Sequence, residues 1–234
     1  MFIGTAGWSI PARHADGFPS DGSQLERYAT RLNAVEINSS FYRPHRRATY
    51  ERWAAAVPAD FRFSAKLPRA ITQDRQLRDC EDLLALFLDE VRGLGDRLGV
   101  LLAQLPPSLA YDADIAAPFF QDLAGRTAAR IACEPRHASW FTPQADRALA
   151  KLGVMRVAAD PPRAPTDGKP GGWTGCAYWR LHGSPQIYYS EYEDSHLKAV
   201  AQHLRPGDWC IFDNTAAFAA LSNARTLQAM TGRA

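Results

Sequence analysis

No stretch of this chain approaches the ~18 consecutive apolar residues that a membrane helix needs, so no membrane span is expected. Cysteine is scarce. Cys80, Cys133, Cys176 and Cys210 lie far apart, without a C-x-x-C pair or the ligand spacing of a zinc site. Excess charge is missing as well: 27 basic against 25 acidic residues leave +2, which argues against nucleic acid or a membrane surface as a partner. No basic and apolar leader precedes the strand-like run that begins at Phe2, so a secretory signal is not expected. A dinucleotide loop is absent too. IGTAGWS holds only two glycines, and no acidic partner follows at the required distance. These absences describe a reduced, cytoplasmic protein that needs no metal and no organic cofactor, with Cys133 and Cys210 as core thiols inside apolar runs.

What the chain does have is eight short apolar runs: FIGTAGW, AVEIN, FRFSAK, LGVLLAQ, RIACE, VMRVAAD, AYWRLHG and WCIFDN. Their last polar or aromatic positions are Trp8, Asn38, Lys66, Gln104, Glu134, Asp160, Arg180 and Asp213. The spacing, on the order of 30 residues, is that of one strand plus one helix. Eight such units in 234 residues predict a single α/β domain over 1–234, a (β/α)8 TIM-like barrel with its active site at the carboxyl ends of the strands. Helices are expected over Leu25–Leu32 (after the Ser23/Glu26 capping box), Thr49–Val57, Asp82–Leu94, Asp112–Leu123, Pro143–Leu152, Ser195–Leu204 and Ala216–Met230. The sixth helix is missing from this series. PPRAPTDGKPGGWTG, after Asp160, is too rich in Pro and Gly, and reads as a long loop over the strand carboxyl ends or a plain surface linker. Ile10–Gly22 reads as a similar first loop.

Strand alternation assigns faces. Val35 and Ile37 share one face and Glu36 and Asn38 the other. Phe61 and Phe63 face the helices, leaving Ser64 and Lys66 inward. Trp179 and Leu181 face outward, so Tyr178, Arg180 and His182 point to the axis. Charges inside a barrel cost several kcal/mol unless paired, and Glu36 and Glu134 against Lys66 and Arg180 supply that pairing. The cluster is therefore either a functional site or a structural ion-pair network.

Several stretches resemble the DUF72, or YecE-like, family: IGTAGWS, VEINSSFYRP, FRFSAKLPRAIT, LGVLLAQLPPS, EPRHASWF, YWRLHG, YYSEY and FDNTAAFAALSNA, in order along nearly the whole chain. The resemblance implies a TIM-barrel-like fold and no particular reaction. Two positions depart from the usual pattern: Ile10 stands where the family has an aromatic, and Gln73 where it commonly has His. A catalytic role for that His in relatives would imply altered or lost activity here.

Read residue by residue, Glu134, Arg136, His137 and Trp140 of EPRHASW form the densest chemical motif. They combine a carboxylate beside a cation, an imidazole able to move a proton, and a flat face for a sugar ring or base. The alternative is an arginine ion pair, a His137 cap and a Trp140 lid. Arg180, His182 and Gly183, with Asp213 and Asn214 next door, suggest an anion site; Arg180 clamped to Asp213 is the structural counterpart. Glu36, Glu134, Asp160, His182 and Asp213 could also hold a divalent metal, as in metal-dependent isomerase or endonuclease barrels, although Lys66 and Arg180 would repel it. The leading expectation is a hydrolase or lyase acting on a small anionic or sugar- or nucleotide-like substrate. Its catalytic residues would be drawn from Glu36, Lys66, Glu134, His137 and His182. Substrate would be bound by Trp8, Asn38, Phe41, Tyr42, Gln104, Arg136, Trp140, Asp160, Arg180, Gly183, Tyr188, Asp213 and Asn214. A non-catalytic module that binds an anionic metabolite or a macromolecule is the rival class.

Overall fold

A computed structural model describes residues 1–162, 164 and 168–232. Among these residues ten strands form one sheet: β1 (Phe2–Ala6), β2 (Ala34–Ile37), β3 (Arg62–Lys66), β4 (Leu98–Gln104), β5 (Arg130–Glu134), β6 (Val154–Arg156), β7 (Ala158–Asp160), β8 (Gly171–Gly172), β9 (Tyr178–Leu181) and β10 (Trp209–Phe212). The barrel has eight staves, because β6 and β7 are two halves of one, broken at Val157. β6 pairs with β5, β7 pairs with β9, and β10 pairs with β1, all in parallel. The ring thus closes through the split stave, where the Val157 amide still donates to the Cys133 carbonyl at 2.8 Å.

Among the described residues seven α-helices surround it: α1 (Gln24–Ala29), α2 (Arg47–Ala55), α3 (Glu81–Val91), α4 (Ala113–Arg126), α5 (Pro143–Lys151), α6 (Asp194–His203) and α7 (Ala219–Met230). The Ser23/Glu26 capping box is present, with the Glu26 carboxylate accepting from the Ser23 amide at 2.7 Å. α7 starts later than the expected Ala216, because Phe218 adopts a left-handed conformation at φ 61° and interrupts the helix there.

Between β7 and β9 the described residues contain no helix; 163 and 165–167, within the expected loop, lie outside them. The expectation that the segment covers the barrel mouth falls largely on those residues and lies outside the described ones; its far end is described. Gly171 and Gly172 run antiparallel along β6, and the Trp173 amide donates to the Val154 carbonyl at the amino end of that strand. This stretch therefore descends the flank of the barrel.

Alternation produces two separate apolar layers. Val35, Ile37, Phe61, Phe63, Leu101, Leu181 and Phe212 pack outward under the helices, with Cys133 and Cys210 among them. Burial pushes both thiols well above their usual range. Inside the barrel, Ala34, Val100, Leu102, Met155, Tyr178, Trp209 and Ile211 form a second cluster toward the amino ends. The Tyr178 and Trp209 rings stack 5.9 Å apart, and Phe2 closes on Trp209 at 4.8 Å. Each such buried side chain contributes roughly 1.5–3 kcal/mol, so this half of the barrel is a dry plug. Polar chemistry is confined to the other half.

Candidate active site

The polar half begins directly on the plug. Tyr178 Oη donates to Glu36 Oε2 at 2.9 Å and shares a 2.6 Å hydrogen bond with Ser64 Oγ. Tyr178→Phe leaves the packing intact and removes both bonds. It is expected to lower stability by about 1–3 kcal/mol, read as a reduced urea midpoint; an unchanged midpoint would mean that water replaces the hydroxyl.

Arg180 occupies the next layer, fully buried. Its Nε and Nη2 form a two-pronged bond to Glu36 at 3.0 and 2.7 Å. Nη1 reaches Glu134 Oε2 at 2.6 Å, and Nη2 also reaches Asp213 Oδ2 at 3.1 Å. Glu134 Oε1 in turn accepts from Gln104 at 2.9 Å and from Arg136 at 3.2 and 3.3 Å. Burial alone would push the Glu134 carboxyl up, but Arg180, His182 and Arg136 outweigh it and hold the carboxyl well below the usual range. The same opposition of burial and Arg180 leaves Asp213 lowered. His182 stands between two carboxylates, with Nδ1 at 3.0 Å from Asp213 and Nε2 at 3.4 Å from Glu134.

Above this network the barrel opens into a cavity of about 420 Å³ lined by Asn38, Phe41, Tyr42, Lys66, Gln73, Gln104, Arg136, Tyr188, Tyr189, Asp213, Thr215 and Ala216. The volume is within the ~300–1,000 Å³ of small-molecule sites. Lys66 is distinct from the other buried charges here. Its Nζ lies 3.9 Å above the Phe41 ring and, among the described residues, makes no hydrogen bond or ion pair. Burial and the nearby Arg180 outweigh the three carboxylates and lower its amine to about 8.

Structure and sequence expectations part at several residues. Arg180 takes the clamp arrangement, the other reading of this residue: the carboxylates of Glu36, Glu134 and Asp213 surround it, and no surface of it reaches solvent. Glu36 and Glu134 are closed around that guanidinium and are not among the residues lining the cavity. His137 caps a short 3-10 turn, its Nδ1 accepting from the Ser139 amide. Trp140 is 1% exposed, donates to the Leu109 carbonyl and packs edge-on against Tyr111, so it is a core residue. Trp8 packs edge-on against Trp53, between barrel and helix α2. Asp160 accepts from Tyr192 Oη at 2.9 Å and stands 3.6 Å from His196, away from the other carboxylates. Among the described residues no group of three or more His, Cys, Asp or Glu side chains is arranged to hold a metal ion, since the carboxylates point at Arg180. Gly183 serves a tight turn: its φ is 95°, its amide donates to Tyr192 Oη, and a Cβ there would lie 2.9 Å from the Ser190 carbonyl. Asn214 ties the loop after β10 to Ser190 and Asn223.

The cavity does bring together Asn38, Phe41, Tyr42, Lys66, Gln104, Arg136, Tyr188 and Asp213. Tyr189, Thr215 and Ala216 complete the wall without having been anticipated; the YYSEY run was the available signal for Tyr189. Gln73, where the family resemblance places a His, is also a wall residue, and its Nε2 donates to the Gln104 carbonyl at 2.8 Å.

Comparison with known proteins agrees with this architecture. The model of the family described as "Protein of unknown function DUF72" matches residues 2–234. UPF0759 protein YecE of Escherichia coli K12 is 31% identical over 166 residues, 68% of this chain and 59% of that protein, so the alignment spans under two thirds of the relative's length. A DUF72 family protein of Enterococcus faecalis superposes with a TM-score of 0.81 at 20% identity, covering 99% of this chain and 95% of that one. A second, from Thermotoga maritima, gives 0.80 at 22% identity, covering 99% and 98%. More distantly, a methyltransferase from Methanosarcina mazei shares the fold at a TM-score of 0.51 and 11% identity, over 80% of this chain and 63% of that one. With the family model spanning the chain almost end to end, this protein belongs to the DUF72 family.

Proposed function

We propose that this barrel is a small-molecule enzyme of hydrolase or lyase type. In this reading it acts on an anionic substrate in the cavity, with Lys66 accepting and returning a proton and Arg136 holding the anion. The observation that carries it is the Lys66 amine. It is a buried cation without an ion-pair partner among the described residues, in the wall of a substrate-sized cavity. Its lowered affinity for protons, about 8, suits proton transfer near neutral pH, where general acids and bases work best. Arg136 suits the anion. It bonds Glu134 through Nε and Nη2 only, keeping part of its planar fork for a carboxylate or phosphate.

Two measurements test this. Wild type incubated with a mixture of small polar metabolites should consume at least one of them, by mass spectrometry, and Lys66→Met should not. Calorimetry with inorganic phosphate should show binding to wild type that Arg136→Ala weakens about tenfold or more, the loss of one charge-assisted contact. Phosphate binding without consumption of any compound would replace the enzyme with the non-catalytic binding module.

A further inference from the structure

We infer that Lys66 Nζ is a nucleophile that forms a covalent imine with a small carbonyl compound bearing one anionic group, such as a carboxylate or phosphate. This deepens the enzyme reading above and rests on it. The residue type at this position is the first argument. The chain uses arginine almost everywhere: Lys66, Lys151, Lys169 and Lys198 are its only lysines among 27 Lys and Arg. Where the barrel needs a permanent buried cation it uses Arg180, bonded to three carboxylates. Arginine serves such pairs better than lysine, because its fork fits carboxylates and its charge is not lost. Lys66 is the exception on both counts. It is buried, 4% exposed, yet it has no carboxylate partner among the described residues, and the other three lysines are exposed.

The surroundings meet the needs of imine chemistry. Burial and the nearby Arg180 disfavour the ammonium by more than the carboxylates and the Phe41 face favour it, so about a tenth of the amine carries its lone pair at pH 7. Arg136 in the same wall would bind the anionic group and fix the carbonyl over the amine. Asp213 offers a proton relay: Oδ2 is taken by Arg180 and His182, while Oδ1 accepts no hydrogen bond among the described residues and Asp213 lines the cavity. In the step itself the Nζ lone pair forms the C–N bond as the carbonyl π pair moves to oxygen. The proton released by nitrogen passes to that oxygen, giving a carbinolamine. A second proton, the one the Lys66 ammonium gave up in becoming the attacking amine, returns by way of Asp213 to the carbinolamine oxygen, so the C–O bond breaks, water leaves and the nitrogen lone pair forms C=N. Ammonium and carbonyl thus become a protonated imine and one water, with nothing oxidised or reduced.

Reductive trapping tests this on the intact protein. Wild type is treated at pH 7 with cyanoborohydride and, separately, pyruvate, glyceraldehyde 3-phosphate and neutral acetone, and labelled peptides are quantified. Lys66 is expected to be alkylated by one of the anionic carbonyls about tenfold or more faster than the exposed Lys151 and Lys198. Its rate should level off above about pH 8. Arg136→Ala should remove that preference for the anionic carbonyl while leaving slow labelling by acetone. Labelling of Lys66 no faster than that of the exposed lysines overturns the imine. Wild type that consumes a metabolite in the depletion experiment while Lys66 stays unlabelled by that same compound also overturns it, and leaves the enzyme reading standing with Lys66 as a proton carrier.

Discussion

Arg180→Ala is expected to unfold the protein rather than to empty a ligand site. The substitution leaves Glu36, Glu134 and Asp213 facing one another in a space without solvent, where Glu36 is 0% and Glu134 1% exposed. Removing one partner of a buried ion pair typically costs about 3–5 kcal/mol, and here three carboxylates lose the same cation. Against a total stability of roughly 5–15 kcal/mol, that is a large fraction. The melting temperature should fall by on the order of 10 °C, or the protein should not fold at all. Should Arg180→Ala be too unstable to measure, Glu36→Gln supplies the second reading. It keeps the shape and a hydrogen bond but removes one charge, and should destabilise less than Arg180→Ala. Combining Arg180→Met with Glu36→Gln should be less damaging than the two single losses summed, because the second change removes a carboxylate that the first one orphaned. A melting temperature unchanged in Arg180→Ala would show that the network is not structural and would return Arg180 to the ligand site.

How much of this could be read from the chain alone depends on what strand alternation encodes. It encodes the face. Both layers of a barrel are packed, so Val35 against Glu36 and Trp179 against Arg180 sort without ambiguity, and the structure has each on its assigned side. Alternation does not encode height along the axis, which is set by the register between neighbouring strands. Glu36 pairs in register with Ser64, while Lys66 lies two residues beyond, about 7 Å further along the strand. That offset separates a carboxylate sealed against Arg180 and Tyr178 from an amine that reaches the cavity. The sequence presents both simply as inward charges.

Trp8, His137 and Trp140 lie away from the cavity for a related reason, His137 and Trp140 as the cap and lid of the alternative reading. Each follows a strand end, but where the side chain goes is decided by the next turn. Trp8 turns onto Trp53, His137 back onto its own turn, and Trp140 under Leu109. Asp160 is held away from the other carboxylates by Tyr192, a partner from far along the chain. The capping box at Ser23, by contrast, is a local device and was legible.

Lys66→Met is expected to abolish turnover and at the same time to stabilise the fold. The amine falls from 10.5 in the unfolded chain to about 8 in the folded one. A lysine lowered in this way is a cost wherever it is charged in both states. That cost is fully present below about pH 8 and is relieved as pH rises toward 10.5, where the unfolded chain still binds the proton and the folded one has released it. Each pKa unit corresponds to 1.36 kcal/mol, so methionine, of similar length and uncharged, should gain roughly 3 kcal/mol at pH 7. The gain should shrink toward zero between pH 8 and 10.5. Absolute stability will not show this cleanly at alkaline pH, because the buried acids Cys133, Cys210 and Tyr28 are raised in the folded state and lose stability as pH increases. Those terms are common to both proteins and cancel in the difference. Urea unfolding of wild type and Lys66→Met at pH 7, 8, 9 and 10 should therefore give a difference that favours the variant and declines with pH. A constant difference would mean that Lys66 keeps an ordinary proton affinity. A variant less stable than wild type at pH 7 would make the amine a structural cation, held by Phe41 and the carboxylates below, and would remove the case for chemistry at this position.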